Sequence, residues 1–390
     1  MARTGRVCRA TAGTVAIFAF VSCGTLESSV DTIEMDVLPH DTVGVVSVGP
    51  SELPFDIDSD KTTVFAFDKD GKVVGQVDGN AILYSQILAF DGKLVSASSD
   101  SVKTLTTEST FDVPIHEDMI EAAVEDRESG RATLWFNSGI VDGNYSTRFV
   151  SINNDNAAHS GIVPGMVITS AYCGNSLFAV AEDQASVSWG QPAKSWLYEI
   201  APGSQPVIRG EWEYPDGFRP VSREAACSPD GASILALFAS NEAAATETGT
   251  PGLTLVRVNL SDGSREETEL DMPGYTWRTP RGSVALLDGR LFWATTNGEI
   301  LSVPAAGSSQ VTQVWKLPAG GINDHTISIN GNTVTQVDYR NTPTYTEYDL
   351  LTGTPTNGPL DLPWLDPIID STTESGKATY TVTDVASLQR

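Results

Sequence analysis

From Thr62 to the carboxyl end the sequence alternates between two kinds of β-hairpin, and no other feature restricts the fold as strongly. The first kind has two apolar strands around a tight turn, as in Ala89-Phe90-Asp91-Gly92-Lys93-Leu94-Val95 and Leu286-Leu287-Asp288-Gly289-Arg290-Leu291-Phe292-Trp293. Asp-Gly supplies the positive φ angles that a two-residue turn demands. Relatives centre on Gly130, Gly174, Gly231, Gly331 and Gly376, giving seven copies spaced 38, 44, 57, 58, 42 and 45 residues apart. Between them falls a hairpin with one alternating strand and one more polar strand, as in Val64-Phe65-Ala66-Phe67 turning at Gly71. Its other copies turn near Glu108, Asp155, Gly203, Gly263, Gly307 and Gly353, again making seven.

Four strands per repeat at a period near 47 residues predict an all-β, seven-bladed β-propeller, because a four-stranded sheet cannot bury both faces without neighbours. A β-sandwich would not need fourteen hairpins. The series opens with an outer hairpin at Gly71 and closes with an inner one at Gly376, so one blade is expected from both chain ends. Residues 62–78 would give its outer strands and 366–384 its inner ones, closing the ring without a free edge. The apolar run Val43 to Val48 is left without a place, and an eight-bladed ring is the alternative that would use it. The copy Ala225-Ala226-Cys227-Ser228-Pro229-Asp230-Gly231-Ala232-Ser233-Ile234-Leu235 resembles the Ser-Pro-Asp-Gly repeat of TolB-like and WD40-like bacterial propellers. That resemblance implies the fold and not a TolB function.

Residues Met1 to Arg9 carry three arginines and no acid, and Ala10 to Val21 form a twelve-residue apolar run. These are the charged and apolar regions of a signal peptide. As a helix the run rises about 18 Å, short of a hydrocarbon core of about 30 Å, which disfavours a permanent span. It ends at Phe20-Val21-Ser22-Cys23-Gly24, which resembles the bacterial lipobox and implies an actinobacterial-type lipoprotein acylated at Cys23. Phe20 departs from the usual leucine of that pattern. The expected organisation is a leader over 1–22, a flexible tether over 23–42 and a propeller over 43–390, with the chain held on the extracytoplasmic side of the cell membrane by its lipid.

Acids number 50 against 24 Lys and Arg, and removing Arg3, Arg6 and Arg9 with the leader leaves a mature charge of −29. Such a surface repels phosphate backbones and excludes nucleic acid as a partner. His40, His116, His159 and His325 show no metal-ligand spacing, and no nucleophile elbow, Walker loop or dinucleotide glycine pattern occurs. No catalytic residue, metal or cofactor is therefore assigned. Asp56, Asp58 and Asp60 alternate ahead of Asp68 and Asp70, but they lack the remaining ligands of a calcium loop and read as turn residues. Cys173 and Cys227 stand at inner-strand ends of neighbouring blades. Export favours a disulfide between them; against it, packed sheets lie about 10 Å apart, and a bridge needs Cα atoms within about 7 Å.

With both hairpin turns on one face, the other connectors gather on the opposite one, and long ones run over Asn137 to Ser146, Glu182 to Lys194 and Asn241 to Gly252. Two inter-blade connectors combine aromatics with arginine, and with Trp189 they nominate Tyr214, Phe218, Arg219, Trp277, Arg278 and Arg281 as ligand- or partner-binding residues. The competing account is that the aromatics pin the crossovers while the arginines pair with local acids. Two functional classes follow. One is a non-enzymatic envelope module that binds a protein, glycan or small ligand. The other is an extracytoplasmic propeller enzyme, such as a hydrolase, lyase or quinone-dependent dehydrogenase, which converging carboxylates or a channel-mouth metal would favour.

Overall fold

Seven antiparallel sheets form a closed β-propeller in the computed structural model, which describes residues 33–52, 55–141, 143–183, 193–214, 218–222, 224–240, 252–272, 284–318 and 324–388. In blade 1 the strands β1 (Gly44–Pro50), β2 (Lys61–Phe67) and β3 (Val73–Asn80) run outward in that order. Blade 2 holds β4 (Ile87–Phe90), β5 (Lys93–Ala97), β6 (Ser101–Leu105) and β7 (Thr110–Pro114). Blade 3 holds β8 (Ile120–Asp126), β9 (Arg131–Val141), β10 (Asn144–Ile152) and β11 (Ala158–Pro164). Blade 4 follows with β12 (Met166–Cys173), β13 (Ser176–Glu182), β14 (Ala193–Ile200) and β15 (Val207–Tyr214). Blade 5 has a split inner rim, β16 (Phe218–Pro220) and β17 (Ala226–Cys227), both pairing β18 (Ser233–Ser240), then β19 (Leu253–Asn259) and β20 (Arg265–Leu270). Blade 6 is β21 (Val284–Leu287), β22 (Arg290–Ala294), β23 (Glu299–Pro304) and β24 (Thr312–Lys316). Blade 7 is β25 (His325–Asn330), β26 (Thr333–Asp338), β27 (Thr344–Asp349) and β28 (Pro355–Asp361), and β29 (Tyr380–Ser387) then returns to blade 1.

The period of two in each strand explains the ring. In β2, Val64 and Ala66 enter the cluster shared with blade 2, while Phe65 and Phe67 enter the one shared with blade 7. Seven apolar clusters result, one in each gap between neighbouring blades. The tight inner turns have the expected chemistry: Asp91 and Gly92 take φ of 48° and 70°, and Asp288 and Gly289 take 49° and 70°.

Closure uses both chain ends but divides the strands differently from the sequence-based expectation. Only β29 comes from the carboxyl end; it pairs with β1 from Gly44↔Ser387 to Pro50↔Tyr380, so Val43 to Val48 belongs to blade 1 and no eighth blade is needed. Gly376 lies in a small turn, where its N–H donates to Thr373 O and a single bridge joins Thr372 to Thr379. The preceding stretch packs Leu362 and Leu365 into the gap between blades 7 and 1 instead of forming a strand.

Residues 33–42, expected within the flexible tether, are strapped to the ring. Met35 N–H donates to Gln76 O and Gln76 N–H to Ile33 O, both at 2.8 Å, and Leu38 N–H donates to Thr106 O at 2.8 Å. Met35 and Leu38 are buried in the core between blades 1 and 2.

Cys173 and Cys227 form a disulfide with a Cα–Cα distance of 5.3 Å. The spacing of about 10 Å for stacked parallel layers does not apply to them. Propeller blades radiate, so neighbouring sheets approach most closely at their innermost strands, where β12 and β17 carry the two cysteines.

Candidate functional site: a cleft on the connector face

Five connectors from three blades enclose a cleft of about 700 Å³. Ile57 and Asp58 come from the link between β1 and β2, Asn80 ends β3 and Leu83 follows in the passage toward β4, and Ser99 and Asp100 come from the link between β5 and β6. His116 to Met119 precede β8, and Asn137 to Gly139 belong to the hairpin of β9 and β10. That hairpin extends the sheet beyond the face, so the long connector expected over Asn137 to Ser146 is mostly paired strand. It carries Ile140 near its tip, 76% exposed.

Backbone hydrogen bonds join these connectors to one another. Leu83 N–H donates to Asp118 O (2.8 Å) and Ile120 N–H to Leu83 O (3.0 Å), while Glu117 N–H donates to Ser99 O and Asn137 N–H to Met119 O, both at 3.0 Å. The buried Glu117 fastens the projecting hairpin from below: its Oε1 accepts from Ser138 Oγ at 2.8 Å and from Arg148 Nε at 2.7 Å. A charge-assisted bond to a buried carboxylate holds the wall in one position. Asp58, Asp100 and Asp118 give the lining a negative sign, and no lysine or arginine stands among its described residues.

Of the aspartates considered for calcium, Asp56 and Asp60 do structural work. Asp60 accepts from Asp56 N–H (2.8 Å) and from Ser375 N–H and Oγ (both 2.6 Å), while Lys377 Nζ meets Asp56 at 3.1 Å and holds its carboxyl below the ordinary range. They tie the first connector of blade 1 to the turn at Gly376. Among the described residues, no three His, Cys, Asp or Glu side chains converge as metal ligands.

A second group of acids lies on innermost segments of blades 3, 5 and 1. Burial pushes Asp384 up to about 7, and Glu224 is raised well above the usual carboxylate range by burial and by the charges of Glu125 and Asp384. Glu125 is also raised by burial, against the pull of Arg127. Asp384 accepts from Ile87 N–H at 3.0 Å, which links β29 to the next blade. None of these three lines the cleft.

The residues nominated from sequence are only partly placed. Phe218 and Arg219 are not connector residues: they lie in β16, where the long β18 offers them pairing at Ser240 and Ala239. Tyr214 ends β15. The side chains of these three, and Trp189, Trp277, Arg278 and Arg281 entirely, lie outside the described residues. Trp212, two residues before Tyr214, is also in β15, with the Arg265 guanidinium 5.4 Å from its ring centre. No local motif announced the cleft, because its lining is spread over five short segments of ordinary turn composition.

No protein-family model matches this chain, and no curated protein matches it. Among solved structures it is similar to apo AztD from Citrobacter koseri, at 12% identity and a TM-score of 0.42 over 89% of this chain and 98% of that one. It is similar to the β-propeller domain of the Trilobed protease from Pyrococcus furiosus, at 10% identity and a TM-score of 0.46 over 81% and 96%. A Mycobacterium tuberculosis puromycin-hydrolyzing peptidase gives 13% identity and a TM-score of 0.46 over 84% of this chain and 55% of its own. Nothing of those proteins' activities transfers at such values, and the propeller assignment stands on the seven sheets themselves.

Proposed function

We propose that this chain is an exported, lipid-anchored, non-enzymatic binding module of the cell envelope, and that a partner protein, glycan or small ligand is received in the connector-face cleft across blades 1 to 3. The observation that supports this reading is the cleft itself: about 700 Å³, lined by side chains of both polar and apolar kinds on connectors fixed by their own backbone hydrogen bonds. A preformed concavity with polar groups already in place is the usual form of a binding site, and it spares a ligand the cost of ordering loops. Export and anchoring rest on the charged leader, the apolar run and the Ser22-Cys23 junction.

Trp189, Tyr214, Phe218, Arg219, Trp277, Arg278 and Arg281 remain a proposed second contact patch, now with two members on the inner rim of blade 5. The enzyme reading draws on Glu125, Glu224 and Asp384, whose shifted protonation suits proton transfer. It is the second choice because these groups lie apart from the cleft.

Affinity capture from envelope extract tests the binding reading. The intact protein is compared with a cleft variant (Asp58→Asn, Asp118→Asn) and a connector variant (Arg219→Ala, Trp277→Ala, Arg278→Ala). Loss of a partner in the cleft variant alone supports the reading; loss only in the connector variant moves the site to the second patch. Retention of every partner by both folded variants rejects the connector face.

A further inference from the structure

We infer that the hairpin-turn face of the propeller is held toward the membrane bearing the Cys23 lipid and that the cleft faces away from it, because the chain leaves the tether from the hairpin-turn side and is at once strapped to that rim. This rests on the anchoring reading above and adds an orientation to it.

The strap has a direction. Ile33 to Met35 run parallel to β3, with Glu34 bridged to Gln76, and β3 starts beside the hairpin turn at Gly71. The chain therefore arrives at Ile33 travelling from the hairpin-turn side. It then stays at that rim: Thr110 Oγ1 donates to Asp36 O and Leu38 N–H donates to Thr106 O, both at the outer turn of blade 2, and Val43 N–H donates to Phe67 O where β2 enters its own turn. Buried Met35 and Leu38 oppose peeling of this segment.

Only nine residues, 24 to 32, separate the strap from Cys23. Ten Cα–Cα steps span at most about 36 Å when fully extended, and about 17 Å as a relaxed flexible chain. The ring is about 26 Å thick, taking the eight residues of β3 at about 3.3 Å each. Ile33 stands level with Gly75, about 7 Å from the hairpin-turn end of β3 and about 17 Å from its connector end, so turning the cleft onto the bilayer would use up the tether's relaxed length along the flank before the projecting hairpin of β9 and β10 is cleared, whereas the opposite orientation leaves it slack. Charge does not choose between the faces. Asp68, Asp91, Glu128 and Asp262 stand at hairpin turns, as Asp58 and Asp118 do at the cleft. A partner seated in the cleft therefore comes from the aqueous or wall side, not from the lipid of the anchoring membrane.

The mature chain, residues 23–390, has Cys23 as its sole cysteine outside the disulfide. Coupling Cys23 to a maleimide phospholipid in phosphatidylcholine vesicles therefore sets the anchor chemically. A fluorescent non-natural residue is placed at Glu128 or at Ile140, at opposite ends of blade 3, and energy transfer to acceptor-labelled headgroups is measured. The inference expects transfer from position 128 to exceed that from 140 at least twofold, and a twenty-residue Gly-Ser insertion after residue 32 to erase the difference. Equal transfer, or greater transfer from 140, overturns it. Mass spectrometry of Cys23 from native membranes decides the anchoring separately: an unmodified cysteine overturns that reading, while the vesicle result alone judges the orientation.

Discussion

Reduction of the Cys173–Cys227 bridge should destabilise the propeller by about 4 kcal/mol. The two residues are separated by 54 positions, and closing a loop of that length in the unfolded chain removes conformational entropy worth roughly that amount at 25 °C. The bridge also joins the innermost strands of blades 4 and 5, where Cys173 is buried among Ile168, Phe178 and Ile234. For the roughly 310 described residues the unfolding entropy is about 0.65 kcal/mol per kelvin, so the expected fall in Tm is about 6 °C. Calorimetry of the oxidised and reduced protein reads this directly, with a Cys173→Ala, Cys227→Ala variant as control. The variant should melt near the reduced protein and ignore reductant. If oxidised and reduced protein melt within 1 °C of each other, the bridge does not constrain the unfolded chain and the reasoning fails.

Asp384 predicts a pH dependence. Its folded-state pKa of about 7 against 3.8 for an unperturbed aspartate means that the folded chain keeps a proton between about pH 4 and 7 that the unfolded chain has released, so its contribution to stability falls as pH rises through that window, by at most ~4 kcal/mol. Asp384→Asn should flatten this part of the profile in denaturant titrations, and an unchanged slope would falsify the assignment. Ending the chain at Thr379 removes β29 with buried Val382, Val385 and Ala386, and should open the ring; an unaltered unfolding midpoint would contradict closure by β29. Leu38→Ala should cost about 2–5 kcal/mol if the strap is part of the fold, whereas a loss below about 0.5 kcal/mol in urea unfolding would mean that the segment is a free tether.

The outer hairpins were legible because each has a local signature, an alternating strand ending in a Gly-, Asp- or Glu-marked turn, and all seven stand where the sequence placed them. Six of the seven inner hairpins were legible for the same reason. The seventh was not: Glu374-Ser375-Gly376-Lys377 has a turn's composition, but the strand after it pairs with Gly44–Pro50 across almost the whole chain, and local periodicity carries no information about such a partner. The strap has only a short signal: Ile33, Met35 and Val37 alternate with Glu34 and Asp36, but so brief a run carries no information about its partners on blades 1 and 2. The face that carries the cleft follows from the meander alone, because both hairpin turns of a blade must share the opposite face. Its position over blades 1 to 3 depends on how five connectors bond to each other, which no single connector encodes.

Photocrosslinking in intact envelopes tests the central claim most directly. A photoreactive residue at Ile140, on the wall beside the cleft, is compared with one at Glu128 on the hairpin-turn face of the same blade. The account predicts a discrete adduct from position 140, no adduct of the same mass from 128, and loss of the first when Asp58→Asn and Asp118→Asn are added. The same adduct from both positions, or one that survives the cleft substitutions in full, would contradict it.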